Sequence, residues 1–398
     1  MTQMQMQMTP ENTYTQPAVD DELEEFREEF RSTLRSFLEK QIRGNLDPYS
    51  RVVQSDEIGT SWRQLAEQIG VAGVLVPEEY GGLGLMIADA GVIAGECARA
   101  LYGGPVISTA ILAPLLLQWV GTDDAREQLL PSIASGSSIV AVAIDDMPDR
   151  STMAVQVQDG WRLTGSKSPV LDGSLAETLM VVVKNGDETF RLFEVSAADQ
   201  SVSLTDFEGL DHTRRLTAIT FDSTPATLIG EGTADHLTLL SDVAAIMAAT
   251  EAAAASEECL SIAVDYAKVR EQFGQRIGSF QAVKHMCAEL YVLVESQRAT
   301  ILNCVEEVGS VVRQASIRSV TIPDLIPPAS EAASVAKAYI CSSATNVAET
   351  TIQILGGIGF TWEHNAHRYL RRVKSLENLF GSPLEHRRRI ARLMDEKL

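Results

Sequence analysis

Hydrophobic residues keep two different periods along this chain and change over twice. From about Asp20 to Ser132 they recur at three- and four-residue intervals, as in Leu23, Phe26, Phe30, Leu34 and Phe37, which predicts amphipathic helices. From about Ser138 to Gly230 the runs IVAVAI, MAVQVQ, TLMVVVK, FRLFEV and TAITFD follow one another between turn dipeptides such as Asp159-Gly160, Asp172-Gly173 and Asn185-Gly186. After Thr233 the helical period returns and continues to the end. Blocks of helix, strand and helix in that order give an α+β fold. The expected organisation is a disordered tail over 1–18, an N-terminal helical domain over 19–136, a small middle β domain of six or so strands over 137–232, and a C-terminal four-helix bundle over 233–398.

Finer punctuation follows from glycine and proline. VPEEYGGLGL reads as a loop that interrupts the helical pattern, and further helices are expected after it, at Ile87 to Tyr102, Ala113 to Val120 and around DDAREQLLPSI. In the last third an alanine-rich helix is expected from about Leu237 to Lys268, then helices over Ser279 to Glu307, Ser330 to Leu355 and Leu384 to Met394. The stretch GSVVRQASIRSVTIPDLIPP, ended by Pro327-Pro328, reads as a linker. No internal repeat is evident.

Length and charge narrow the function classes. The 398 residues suffice for two or three domains, and 45% hydrophobic with 22% charged residues is an ordinary globular composition. With 33 Lys+Arg against 54 Asp+Glu, the net charge of −21 excludes a nucleic-acid backbone and an anionic membrane surface as general partners. No apolar run reads as a membrane span, and the segment MTQMQMQMTPENTYTQP has no basic-then-apolar signal pattern. Cys97, Cys259, Cys287, Cys304 and Cys341 are odd in number and scattered, which suits a reducing cytoplasm. No metal site is expected, because His364 and His367 with Glu363 lack a third placed ligand.

Two segments carry chemistry. In YAKVREQFGQRIGSFQAVKH, Tyr266 to His285, Arg270 offers a fork of donors suited to a pyrophosphate and Phe273 an aromatic face. In QILGGIGFTWEHNAHRYLRR, Gln353 to Arg372, Gly356 and Gly357 let a backbone approach a ligand while Gln353 can bond a polar edge. Both segments, in this order and on this block pattern, closely resemble the two signatures of the acyl-CoA dehydrogenase family; VPEEYGGLGL and LTGSKSPVLDG match it more loosely. The resemblance implies FAD as cofactor, an acyl-CoA substrate desaturated at its α,β-bond, and electron-transfer flavoprotein as acceptor. It also implies that Arg270, Phe273, Gln281, Gln353, Gly356 and Gly357 hold the ADP half of a FAD seated mainly in a neighbouring subunit.

Other positions depart from the family pattern. Its Glu-Gly-Thr base lies 27 residues beyond the glutamine of Gln353, which lands here on Phe380. The alternative helix position, 22 residues before Tyr266, is Ala244, so the catalytic base is unassigned, with Asp242, Glu251 and Glu377 as the carboxylates nearby. The family's Thr-Glu-Pro…Gly-Ser-Asp stretch reads AIDDMPDRS, and its flavin-covering Trp-x-x-Asn reads Pro169-Val170-Leu171-Asp172. Residues given to the chain's own flavin and substrate are thus lost, while those given to a neighbour's FAD remain. The pattern is similar to the partner subunits of actinobacterial heteromeric enzymes acting on steroid side-chain CoA thioesters, which form α2β2 tetramers. The alternatives are a self-sufficient homotetramer with a relocated base and a flavin-free acyl-CoA-binding or scaffold protein. Charge is uneven as well: from Thr361 to the end nine basic residues face five acidic ones, an arrangement suited to an anionic cofactor, CoA phosphates or an acidic partner face.

Overall fold

The computed structural model describes residues 21–40, 55–316 and 322–395; the expected disordered tail lies outside them. The first block holds helices α1 (Asp21–Leu38), α2 (Ser55–Ile69), α3 (Ile87–Arg99), α4 (Ala113–Val120) and α5 (Asp123–Ala134). α5 starts where its sequence says it should: the Thr122 hydroxyl accepts the Ala125 N–H at 3.2 Å, and Asp123 and Asp124 sit at the positive end of the helix dipole. The Gly-rich loop after α2 folds back on itself, Leu83, Gly84 and Leu85 donating their N–H groups to Gly73, Val76 and Val74.

The middle block forms one sheet from β1 (Val140–Ala143), β2 (Met153–Val157), β3 (Gly160–Leu171), β4 (Thr178–Asn185), β5 (Thr189–Ser196), β6 (Val202–Asp206) and β7 (Leu216–Thr233). The path is β1-β4-β5-β7-β3-β2, with β6 also on β7. β1 pairs β4 in parallel and the other pairings are antiparallel. β7 is long enough to serve two neighbourhoods: residues 216–226 pair with β3 and β6, and residues 227–233 with β5. The β4–β5 turn is the three residues Gly186, Asp187 and Glu188, closed by the Asn185–Thr189 pair, with Gly186 at φ 73° where a side chain would be strained.

The third block is α6 (Ala234–Val269), a short hairpin of β8 (Glu271–Gln272) and β9 (Gln275–Arg276), then α7 (Gln281–Ala315), α8 (Ile326–Leu355), α9 (Ala366–Asn378) and α10 (Pro383–Asp395). α6 runs through the centre of the molecule. Its alanines permit close approach: a Cβ built on Gly95 of α3 would lie 3.5 Å from that of Ala254. α6 meets the length and apolarity of a membrane span, contrary to the sequence expectation, but 78% of that window is buried inside the protein. Its apolar surface therefore forms core. Two hydrogen-bonded pairs show that α6 and α8 point the same way. Ser330 bonds Asp242 near their starts, and Thr351 bonds the Cys259 carbonyl near their ends.

Two expectations fail here. The supposed linker is largely helical among its described residues, because α7 continues to Ala315 and α8 begins at Ile326. Pro327 and Pro328 open α8, in the first turn where a missing N–H breaks no intrahelical bond. Helix α9 was not anticipated. The five cysteines are free, all buried except the half-buried Cys287.

Candidate functional site

The parallel run of α6 and α8 brings both signature segments to one end of the bundle. There Ile352 and Leu355 of α8 and Ala366 of α9 form a small core against Ile262 and Tyr266 of α6, just before the segments emerge. The residues that emerge point away from this core: Arg270, Gln281, Gln353, Gly356 and Gly357 are exposed, and Phe273 is 93% exposed. Phe273 sits at φ 53° on the hairpin, its ring edge-to-face with Phe280 at 6.2 Å. Gly356 adopts φ 66°, ψ −140°, and a Cβ added to either glycine would meet nothing within 4 Å. The arrangement offers an arginine fork, an aromatic ring, an amide and a bare backbone to something outside this chain.

The positions that depart from the family pattern are taken up by the chain's own groups. Val170, Leu171 and Asp172 at the end of β3 are buried, and the exposed Pro169 has no aromatic face. Lys167, fully buried, donates to the Ile144 carbonyl at 2.8 Å and lies 2.7 Å from Asp146, tying the AIDDMPDRS segment to β3. Burial would raise the Asp146 carboxyl, but Lys167 and the Thr152 N–H outweigh it and hold it below its ordinary value. Phe380, half-buried at φ 59°, lies in a turn gripped from behind. The buried Lys337 ammonium of α8 donates to the carbonyls of Leu376 (2.8 Å), Glu377 (3.1 Å) and Gly381 (2.7 Å). His386 Nε2 donates to the Phe380 carbonyl at 2.9 Å, and its Nδ1 faces the Ser334 hydroxyl at 3.1 Å. Burial lowers the pKa of both Lys337 and His386.

The three carboxylates near the family's base positions are each engaged. Asp242, completely buried, pairs with the Arg389 guanidinium and accepts from Ser330 at 2.6 Å; burial raises its pKa and Arg389 opposes that rise. Glu251 is buried between Arg214 and Arg372, the latter at 3.2 Å. Glu377 is half-buried, 3.2 Å from the Lys374 ammonium and 3.4 Å from the Thr345 hydroxyl. Ala244 lies in the core. Glu251 belongs to a larger buried group: Arg372 also lies 3.2 Å from Asp211 and donates to the Tyr102 carbonyl at 2.8 Å. Beside it Asp172 accepts from Ser108 at 2.6 Å. Burial pushes the Asp172 carboxyl up to about 6, against the pull of Arg214. The sequence reading missed Lys167, Lys337, Arg214, Asp211 and Arg372. For Lys337 the signal was slight, a lone charge inside an otherwise apolar helix pattern, SVAKAYI, while Asp211, Arg214 and Arg372 lie among other charged residues, in DHTRR and YLRRVK, that read as solvent-facing.

Comparison with known proteins agrees with this layout. Residues 24–137 match the acyl-CoA dehydrogenase N-terminal domain and residues 230–394 the acyl-CoA dehydrogenase C-terminal domain. Acyl-CoA dehydrogenase IpdE2 of Mycobacterium tuberculosis is 33% identical over 83% of this chain and 85% of its own. This chain belongs to the acyl-CoA dehydrogenase family. Acyl-CoA dehydrogenase FadE34 of the same organism is 35% identical over 82% of this chain, a stretch that makes up 41% of FadE34. Among solved structures, a variant of the Tcur3481-Tcur3483 steroid ACAD superposes with a TM-score of 0.78 at 28% identity, covering 94% of this chain and 99% of that one. The α+β architecture of helical, sheet and helical blocks is the acyl-CoA dehydrogenase fold. Among the described residues no group of three His, Cys, Asp or Glu is placed to hold a metal ion.

Proposed function

We propose that this acyl-CoA dehydrogenase chain works as one subunit of a heteromeric enzyme and completes the FAD site of a catalytically intact partner. The observation that carries the reading is the exposed end of α6 and α8, where Phe273 is 93% in solvent beside Arg270. A phenylalanine held there adds almost no packing to its own chain and is suited to fill a pocket on another. The residues fit an ADP moiety: Arg270 can fork onto a pyrophosphate, Gln281 and Gln353 can bond polar edges, and the open backbone of Gly356 and Gly357 admits close approach. When bound, FAD accepts the hydride released as an acyl-CoA is desaturated at its α,β-bond.

The chain's own flavin side does not fit the cofactor. Lys167 and Asp146 bridge the segment that would face the ring, Pro169 replaces the covering indole, and Phe380 stands at the base position. Asp242 and Glu251 are each held by guanidinium groups, and a carboxylate in a buried ion pair is a poor proton acceptor. Partner chemistry follows the relatives: the Tcur3481-Tcur3483 structure is a steroid ACAD of two named chains, and FadE34 has more sequence outside the matched stretch than within it. We therefore assign a bulky, steroid side-chain type acyl-CoA to the partner's cleft and electron-transfer flavoprotein as the acceptor, with the complex in the cytoplasm.

The test is to purify the chain alone and co-expressed with a neighbouring dehydrogenase-like gene. The pair is expected to carry FAD and turn over acyl-CoA, the lone chain neither; stoichiometric FAD and full activity in the lone chain would overturn the reading. A second reading is favoured by one observation only. Glu377 is the one of the three carboxylates without a guanidinium partner, so a self-sufficient enzyme would use it, and Glu377→Gln would then cut turnover by orders of magnitude.

A further inference from the structure

Between the first and third blocks the chain leaves open a groove of about 480 Å³, with α1 and α7 as its sides and α3 and α6 as its floor. No residue of either signature segment lines it. Small residues keep the floor low: Gly91 and Gly95 stand one turn apart on α3, with Ala253 and Ala254 of α6 beside them. A Cβ built on Gly91 would lie 3.9 Å from Thr250, and one on Gly95 would lie 3.5 Å from Ala254. Ile301 and Val305 of α7 continue the apolar lining.

The floor presents no free hydrogen-bonding group. Thr250, the uncharged polar side chain of the lining, donates to the Ile246 carbonyl at 2.8 Å. Five arginines and five glutamates also line the groove, so its net charge is zero. Most of them engage one another. Arg35 forks onto Glu96 at 2.8 and 2.7 Å, Arg27 of α1 reaches Glu306 of α7 at 3.3 Å, and Arg31 pairs with Glu28. Arg99 lies 3.8 Å from Glu257 and 2.7 Å from Glu258. Glu295 and Arg298, one turn apart on α7, add one charge of each sign. An anion or a metal ion therefore meets no uncompensated charge here, whereas an apolar surface meets apolar side chains and glycine backbone.

Size decides between a helix of another chain and a small molecule. The α7 side of the groove runs from Val294 to Glu306, about 18 Å at 1.5 Å per residue. A helix 10 Å across and of that length displaces roughly 1,400 Å³, about three times the groove. The volume of about 480 Å³ is instead that of a small-molecule site. We propose that this groove binds one uncharged lipid molecule of the fatty-alcohol type, its hydrocarbon chain laid along the floor and its hydroxyl left at the rim. The chain would cover apolar surface of α3, α6 and α7 together, so the bound molecule holds the first block to the third. This inference is independent of the heteromeric reading, since no residue of the signature segments takes part.

The experiment is equilibrium dialysis of the full chain against 1-decanol below its solubility limit, with the melting temperature followed in parallel. Saturable binding of one molecule per chain and a rise in melting temperature are expected. Ala254→Phe places a ring in the groove and should weaken binding about tenfold or more. If that variant does not fold, Leu302→Glu serves in its place, because it sets a charge beside the apolar lining at a position that is 56% exposed. Absence of saturable binding, or unchanged affinity in the folded variant, overturns the proposal. So does binding that disappears when the chain is co-expressed with a partner subunit, since the groove would then be a contact between chains.

Discussion

Asp172 shows how one side chain can set a pH dependence for the whole molecule. Its carboxyl protonates near 6 in the folded chain, where burial raises it, against 3.8 in an unfolded one. Between those values the native state holds a proton that the unfolded state has lost. The contribution is therefore fully present below pH 3.8 and is lost as pH rises through 6. Asp172→Asn removes this slope, so its stability relative to the native sequence should improve by roughly 2–3 kcal/mol between pH 4 and pH 7. Urea unfolding at both pH values checks this, and parallel curves for the two proteins would contradict it. At this scale the sequence revealed outward-facing chemistry better than inward-facing charge. Arg270, Phe273 and Gln353 were legible because their type and spacing are specific. Lys167 and Arg372 were not, because a charged residue in an amphipathic pattern reads as solvent-facing until its distant partner is seen.

At the scale of elements, Lys337 is the tie between α8 and the α9–α10 turn. Three carbonyls of that turn accept from one buried ammonium, so removing it strands several acceptors at once. Lys337→Met should cost about 2–4 kcal/mol and raise amide exchange selectively over 376–381, measured by hydrogen exchange. Uniform exchange across the bundle would show that the lysine serves general packing instead. The long helices were legible from their period: α6 and α8 lie within four residues of expectation, whereas α7 runs on past the expected Glu307 to Ala315. α9 was hidden: Ala366, Tyr369, Val373 and Leu376 do form a buried stripe, but basic residues crowd it on every side. The Pro327-Pro328 pair misled because proline stops one helix and opens another equally well.

For the whole molecule, Arg372 is where the three blocks meet. It is 1% exposed and joins the Tyr102 carbonyl of the first block, Asp211 of the sheet block and Glu251 of α6. Arg372→Met should cost roughly 3–5 kcal/mol, because it leaves buried carboxylates short of a cation, and Asp211→Asn added to it should restore part of that loss. Denaturant unfolding of the single and double variants measures both; a double variant no more stable than the single would mean that Asp211 is not what the arginine neutralises. The block order was legible in one dimension, and so were the two segments that emerge exposed at one end of the bundle, whereas this junction joins residues from distant parts of the chain and appears only on folding. The far end of α6 has a consequence for supply. Phe273 keeps a bulky ring in water in a left-handed backbone conformation, and Val269 and Phe360 are exposed as well. On the heteromeric reading proposed above, a copy made without its partner carries an adhesive tip, and the amount of this chain a cell can keep in solution is then set by how much of that partner is synthesised alongside it.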